Sequence, residues 1–197
     1  MIVTAEPGLR ERKKAATRQA LYDAAVRLAI EHGADRLTVE AIADEAGVSR
    51  RTFSNYFASK EEALLHGDRQ RMRALIEIVH TRPAAESPWT ALTNAATEFY
   101  SQLGDLDPEW VAQGRLVRTQ PTLVAAQVQA FAAVERELEA EIAARMPEPS
   151  AVRARLTAAT FLSALRVSLH IWLDRPPGTS LWTVVEEALA EAGRGFA

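Results

Sequence analysis

Residues 38–60 read TVEAIADEAGVSRRTFSNYFASK, from Thr38 to Lys60. Val39, Ile42, Ala43 and Ala46 recur at helical spacing, so the first half carries one apolar stripe. Gly47 follows where a helix ends through a left-handed residue, a conformation glycine adopts without Cβ strain. Ser49 suits the N-cap of a second helix, its hydroxyl accepting an otherwise orphan amide. That helix buries Phe53 and either Tyr56 or Phe57, and turns Arg50, Arg51, Thr52 and Asn55 outward. Small Ala43 lets the two helices cross closely, and Val48 fills the corner. This is helix-turn-helix grammar, and the second helix is sized for a DNA major groove.

The run Gly47-Val48-Ser49-Arg50-Arg51-Thr52-Phe53, then Tyr56-Phe57, then Ser59-Lys60-Glu61, resembles the DNA-binding segment of the TetR family of bacterial transcriptional regulators. The motif resemblance spans roughly residues 10–66; beyond it, length and helical layout are similar. Ser54 departs from the pattern, because many family members carry a phosphate-touching tyrosine there. That contact is either missing or taken over by Tyr56. The resemblance implies a cytoplasmic homodimer on a palindromic double-stranded operator, most simply a repressor released by a small-molecule effector.

Helical periodicity dominates the whole chain, and period-2 runs and hairpin corners are nearly absent. The expected class is all-α. Gly and Pro punctuation divides the chain into nine helices, at about 10–32, 39–46, 50–56, 59–81, 88–104, 108–119, 122–146, 150–174 and 180–193. Ser59 with Glu62 forms a capping box, and Gly33, Gly104 and Pro176-Pro177-Gly178 mark stops. The first three helices bury little core alone, so a DNA-binding domain is placed at 1–58 and an effector-binding, dimerising domain at 59–197. The fourth helix connects the two mechanically.

Charge follows the same division. Residues 1–60 hold 10 Lys+Arg against 8 Asp+Glu, and residues 61–197 hold 13 against 18, giving +2 and −5. A basic head on an acidic body is the footprint of a small DNA binder. The chain has no cysteine, which excludes disulfides and thiolate zinc sites. Its four histidines (32, 66, 80 and 170) are too dispersed for a metal cluster, and no cofactor fingerprint or nucleophile elbow occurs. An enzyme is therefore the weaker reading, as is a helical DNA-binding or adaptor protein without small-molecule control. The segment MIVTAEPGL lacks the form of a signal peptide. Leu156–Leu173 is long and apolar, but Arg166 and His170 interrupt it, so it reads as a buried helix rather than a membrane span.

Affinity for DNA comes mostly from phosphates and sequence choice from a few base-edge contacts. Arg50 and Arg51 lead, since a guanidinium fork matches guanine O6 and N7. Thr52 suits a phosphate or a thymine methyl, and Asn55 an adenine or a phosphate. Tyr56 and Lys60 suit phosphates; Thr38 and Ser49 are caps that also reach the backbone. The arm Arg10–Arg18 would clamp flanking DNA. Each of these has a plainer alternative as a solvated helix residue, and Tyr56 as core.

Leu162, Leu165, Leu169 and Trp172 form one stripe of the eighth helix, with Phe161, Ala164 and Ile171 widening it. With Val184 and Leu189 of the ninth helix, they are the expected seam of a twofold four-helix bundle. In the body, Trp110, Phe99, Phe131 and Phe161 are candidate pocket walls, though each is core by default. The region from the sixth to the eighth helix also resembles regulators that accept acyl-CoA-like ligands. That likeness implies an apolar or acyl-CoA-like effector whose anionic group meets Arg115 or Arg118, which otherwise are surface arginines.

Overall fold

The computed structural model describes residues 8–103, 107–176 and 178–195. The opening segment 1–7, the helix stop at Gly104 and Pro177 of the proline turn lie outside the described residues. Ten α-helices and no strand occur among those residues. They are α1 (Leu9–His32), α2 (Val39–Glu45), α3 (Arg50–Ser54), α4 (Lys60–Leu64), α5 (His66–Thr81), α6 (Pro88–Gln102), α7 (Pro108–Thr119), α8 (Pro121–Ala144), α9 (Ala151–Leu173) and α10 (Leu181–Gly193). A 3-10 turn, Ala34–Arg36, links α1 to α2. The chain divides into two compact units, one ending at Gly67 and the other beginning at Asp68.

The extra helix corrects the expected count of nine. A single fourth helix from Ser59 to Thr81 is split at Leu65, whose backbone has φ −89° and ψ 7°. Packing within the first unit explains the break. His66 is buried, with its ring 5.3 Å from Phe57 and 5.9 Å from Tyr22. The Tyr22 hydroxyl lies directly over Gly67, where any Cβ would collide with it. Local periodicity cannot register that clash, because Tyr22 is far away in sequence.

In the first unit, Leu21, Ala24, Ala25 and Ala29 form the inner stripe of α1, which packs against α2 and α4, and Ile42, Ala43, Phe53, Phe57 and Leu64 are buried in the same unit. Arg27 of α1 pairs with Glu45 of α2 at 3.2 Å. Ser59 caps α4, accepting from Glu62 N–H at 3.1 Å, while the Glu62 carboxylate accepts from Ala58 N–H at 2.7 Å. The capping box thus reaches back one residue further than its simplest form.

In the second unit, α9 is the central helix, packed against α8 and α10 and touched by α6 and α7. Phe161, Ala154, Ala158 and Leu165 of α9 meet Leu92, Ala96, Val134, Leu138, Val185 and Leu189. This helix is long and apolar enough to cross a membrane, and the structure uses it as a core helix. The guanidinium of Arg145, just past α8, donates to the carbonyls of Val79, Arg82 and Pro83 at 2.7, 3.3 and 3.2 Å. It thereby satisfies the orphan end of α5.

Candidate nucleic-acid interface and body cavity

The helix-turn-helix is built from local bonds. Thr38 Oγ1 accepts from Ala41 N–H at 3.1 Å, capping α2. Gly47 has φ +67°, and the next amide, Val48 N–H, returns to Ala43 O at 2.9 Å. Ser49 Oγ accepts from Thr52 N–H at 3.0 Å and lies 2.9 Å from Thr52 Oγ1. Phe53 and Phe57 are buried with ring centroids 5.8 Å apart, while Tyr56 is half-buried. With both ends capped and one face locked, α3 presents Arg50, Arg51 and Asn55 to solvent.

These outward residues differ in availability. Arg50 is paired with Glu40 at 3.0 Å. Arg51 and Asn55 have no side-chain partner among the described residues. The Arg18 guanidinium sits 5.7 Å from the Tyr56 ring centroid, a cation–π pair. Arg10, Lys13, Lys14 and Thr17 of α1 line an open groove with Thr52, Asn55 and Tyr56. The basic arm and the recognition segment therefore share one surface. The Arg18–Tyr56 pairing went unread in the sequence, although arginine and tyrosine are a common stacking couple.

Lys60 stands apart. Its ammonium donates to Leu37 O at 2.8 Å and Ala34 O at 3.2 Å, part-buried beneath the start of α2. Two of its three protons are thus committed to the protein's own carbonyls, and it does not belong to the free phosphate-facing set.

The second unit contains a cavity of about 60 Å³ walled by α5, α6, α7, α8 and α9. Phe99, Trp110 and Phe131 line it, as do Met72, Tyr100, Leu162, Leu165 and Leu169. Phe161 does not; it is fully buried in the core, edge-on to Trp89 at 6.3 Å. Arg115 is exposed and away from the cavity, and Arg118 is engaged elsewhere. Its guanidinium bridges to Asp174 at 2.7 Å and to His170 O at 3.3 Å, tying α7 to the end of α9. The charged groups that do line the cavity are Asp68, Arg71, Arg166 and His170.

Arg71 is satisfied twice, by Asp68 at 2.5 Å and by the Trp110 ring at 4.8 Å. Gln127 donates to the other Asp68 oxygen at 3.4 Å. Burial pushes the Tyr100 phenol up to about 12, against a smaller downward pull from Arg71, so it is a neutral hydroxyl at pH 7. Burial, then the adjacent Arg166 and Arg118, lower His170 from its ordinary 6.5, with Asp174 opposing. The sequence did contain a signal for this pair. Arg166 and His170 are the two interruptions of an apolar run, four residues apart and so on one helical face.

The expected dimer stripe also needs correction. Leu162, Leu165, Val184 and Leu189 are buried within a single chain, and Leu169 and Trp172 pack half-buried against the same core. A residue already enclosed cannot be offered to a partner without opening the protomer. The outward apolar residues of α9 are instead Val152, Leu156, Val167 and Ile171, exposed by 71, 55, 41 and 41%. With Ser163 between them, they share one side of the helix at steps of four and seven.

Residues 21–66 match the signature of bacterial regulatory proteins of the tetR family, and residues 86–197 match that of the MftR C-terminal domain. The HTH-type transcriptional regulator TcmR of Streptomyces glaucescens is 34% identical over 177 residues, covering 86% of this chain and 78% of that protein. The chain belongs to the TetR family of transcriptional regulators. Solved structures share the fold. Thermus thermophilus FadR, a TetR-family repressor in complex with lauroyl-CoA, is 24% identical with TM-score 0.59, covering 91% of this chain and 95% of its own. SmeT, the repressor of a Stenotrophomonas maltophilia multidrug efflux pump, in its triclosan complex is 20% identical with TM-score 0.63, covering 91% of each chain.

Proposed function

We propose that this protein is a cytoplasmic homodimeric repressor that reads a near-palindromic operator and is released by a small molecule held in its body. The observation that carries the DNA-reading role is the state of α3. It is immobilised by Ser49 and by Phe53, yet its Arg51 and Asn55 are exposed and uncommitted beside a basic groove. Arg51 is the leading base reader, with Arg50 available once Glu40 yields it. Thr52 and Tyr56 meet phosphates, the Thr38 hydroxyl, whose oxygen already caps α2, has its proton to donate to the backbone, and the hydrogen bond shared by Ser49 and Thr52 leaves one of their two protons for a phosphate. DNA reading is assigned to residues 1–58, and effector binding with dimerisation to residues 59–197, of which residues 59–67, including α4, pack within the first compact unit.

Two copies are needed because one short helix covers too few base pairs for specificity. The partner's seat is the outward face of α9, where Leu156, Val167 and Ile171 leave apolar surface in water. The effector site is the α5–α9 cavity. Helix α5 begins at His66 in the first unit and carries Asp68, Arg71 and Met72 of the cavity wall. Ligand entry that moves those side chains acts on the element leading directly to the DNA-reading residues. Coupling of this kind is typically about 1–3 kcal/mol, or roughly 5–150-fold in affinity. Nothing in the arrangement calls for turnover.

The test begins by selecting a duplex from random-sequence DNA with the purified protein. Arg51→Ala then costs about 1–3 kcal/mol of affinity by fluorescence anisotropy and relaxes the preference at one base pair. Unchanged affinity and preference would remove α3 as the reader.

A further inference from the structure

The charges around the body cavity do not balance, and the imbalance identifies what the cavity takes. Four aromatic rings (Phe99, Tyr100, Trp110 and Phe131) make up much of its wall, a lining that receives flat rings by edge-on or offset contact. Asp68 and Arg71 neutralise one another, and Trp110 covers the remaining face of that guanidinium. Tyr100 is uncharged, and burial beside Arg166 favours neutral imidazole at His170. Arg166 is left as the single cation lining the cavity that has no acidic partner among the described residues. It stands one helical turn from His170, whose ring supplies a hydrogen bond rather than a charge. A cation at an apolar cavity with no counter-ion is completed by one anionic group from the ligand.

Resting on the reading of this cavity as the effector site, we propose that the ligand is an aromatic monoanion: a ring system between Trp110, Phe99 and Phe131 with one carboxylate-like group on Arg166 and His170. The free volume of about 60 Å³ is several times the ~10–15 Å³ one water needs but below the ~150 Å³ of a cavity that holds one benzene ring, so a ring system enters as the half-buried Met72 and Leu169 of the wall give way. A coenzyme A thioester fits less well. Its long thin chain gains little from aromatic walls, and its several phosphate charges would find one unpaired arginine where a cluster is required.

The test uses the full-length protein and three probes, followed by isothermal calorimetry at about pH 7.5, where carboxylates are ionised. The probes are 2-naphthoate, its neutral isostere 2-naphthamide, and lauroyl-CoA. The acid is expected to bind about tenfold or more tighter than the amide, with lauroyl-CoA no tighter than the acid. Arg166→Met erases the preference for the acid, so that acid and amide bind within about twofold of one another, and Arg166→Gln repeats the result should the methionine variant fail to fold. Equal affinity of acid and amide, a preference that survives both variants, tighter lauroyl-CoA binding, or no binding of either naphthyl probe overturns the proposal. Leu169→Trp, which fills the cavity from a half-buried position, separates the two levels of the claim. Amide binding that this variant abolishes, without any acid preference, sinks the anion class and leaves the effector cavity standing. Probes that still bind undiminished sink the cavity itself.

Discussion

The two units of this chain place their working residues by opposite means. In the first, the candidate DNA surface lies within 23 consecutive residues plus one arm of α1, and every outward side chain is outward because its helix neighbours are buried. In the second, the cavity gathers Asp68, Phe99, Trp110, Phe131 and Arg166 from five helices, and no two of these lie within ten residues of each other. The first site is a property of local period and caps, and the second of how helices stack. A mutation in the head therefore acts through a nearby cause, whereas one in the body acts through packing that sequence distance conceals.

The sharpest way to break this comparison is to damage one unit only. Phe53→Ala removes the ring that anchors α3 and is expected to cost about 3–5 kcal/mol, melting the head at a lower temperature than the body. Thermal unfolding followed by circular dichroism should then show two transitions; a single shared one would mean that the units are not energetically separable. Next in size is the seam. Ile171→Asp puts a charge on the outward face of α9 and should weaken dimerisation by about 3 kcal/mol or more while sparing the fold. Leu162→Ala, by contrast, destabilises the protomer by about 2–5 kcal/mol. Sedimentation that finds the Ile171 variant still dimeric would require a different interface.

Lys60 tests the head's economy of local bonds. Lys60→Met loses two charge-assisted bonds, to Ala34 O and Leu37 O, and should lower stability by about 1.5–3 kcal/mol. The slope of log affinity against log salt should stay as in the wild type. A slope shallower by about one unit would return Lys60 to the phosphate contacts.

The smallest expected effect concerns His170. Its folded pKa is depressed by burial and by Arg166 and Arg118, so the unfolded chain takes up the proton first as pH falls. Stability is therefore complete above about 6.5 and declines as the pH drops below it. His170→Asn should flatten the difference in melting temperature between about pH 7.5 and about pH 5.5. An equal difference in both proteins would show that this ring makes no contribution to the acid response.

Much of the fold is legible in the residues themselves. Pro88, Pro108 and Pro121 each begin the helix their position predicts, and Ser87 and Asp107 cap theirs through side-chain oxygens. Legibility fails where a residue's fate depends on something remote. The apolar stripe of α9 is visible in sequence, but Leu162 and Val167 are both aliphatic, and only the arrival of α5, α6 and α10 makes one inner and the other outer. Arg118 and Arg166 are likewise both helix arginines. One meets Asp174 and is neutralised, while the other reaches the cavity without an acidic partner among the described residues.

What the chain's residues determined unaided is its all-helical class, its capped boundaries and the face that α3 turns to solvent. These depend on hydrogen bonds and apolar periods acting over a few residues. What tertiary structure alone decided is the break at Leu65, the cavity's arginine, the commitment of Lys60 and the side of α9 left bare. Each arises from contacts between segments far apart in sequence, where several neighbours compete for the same side chain and the winner is set by packing.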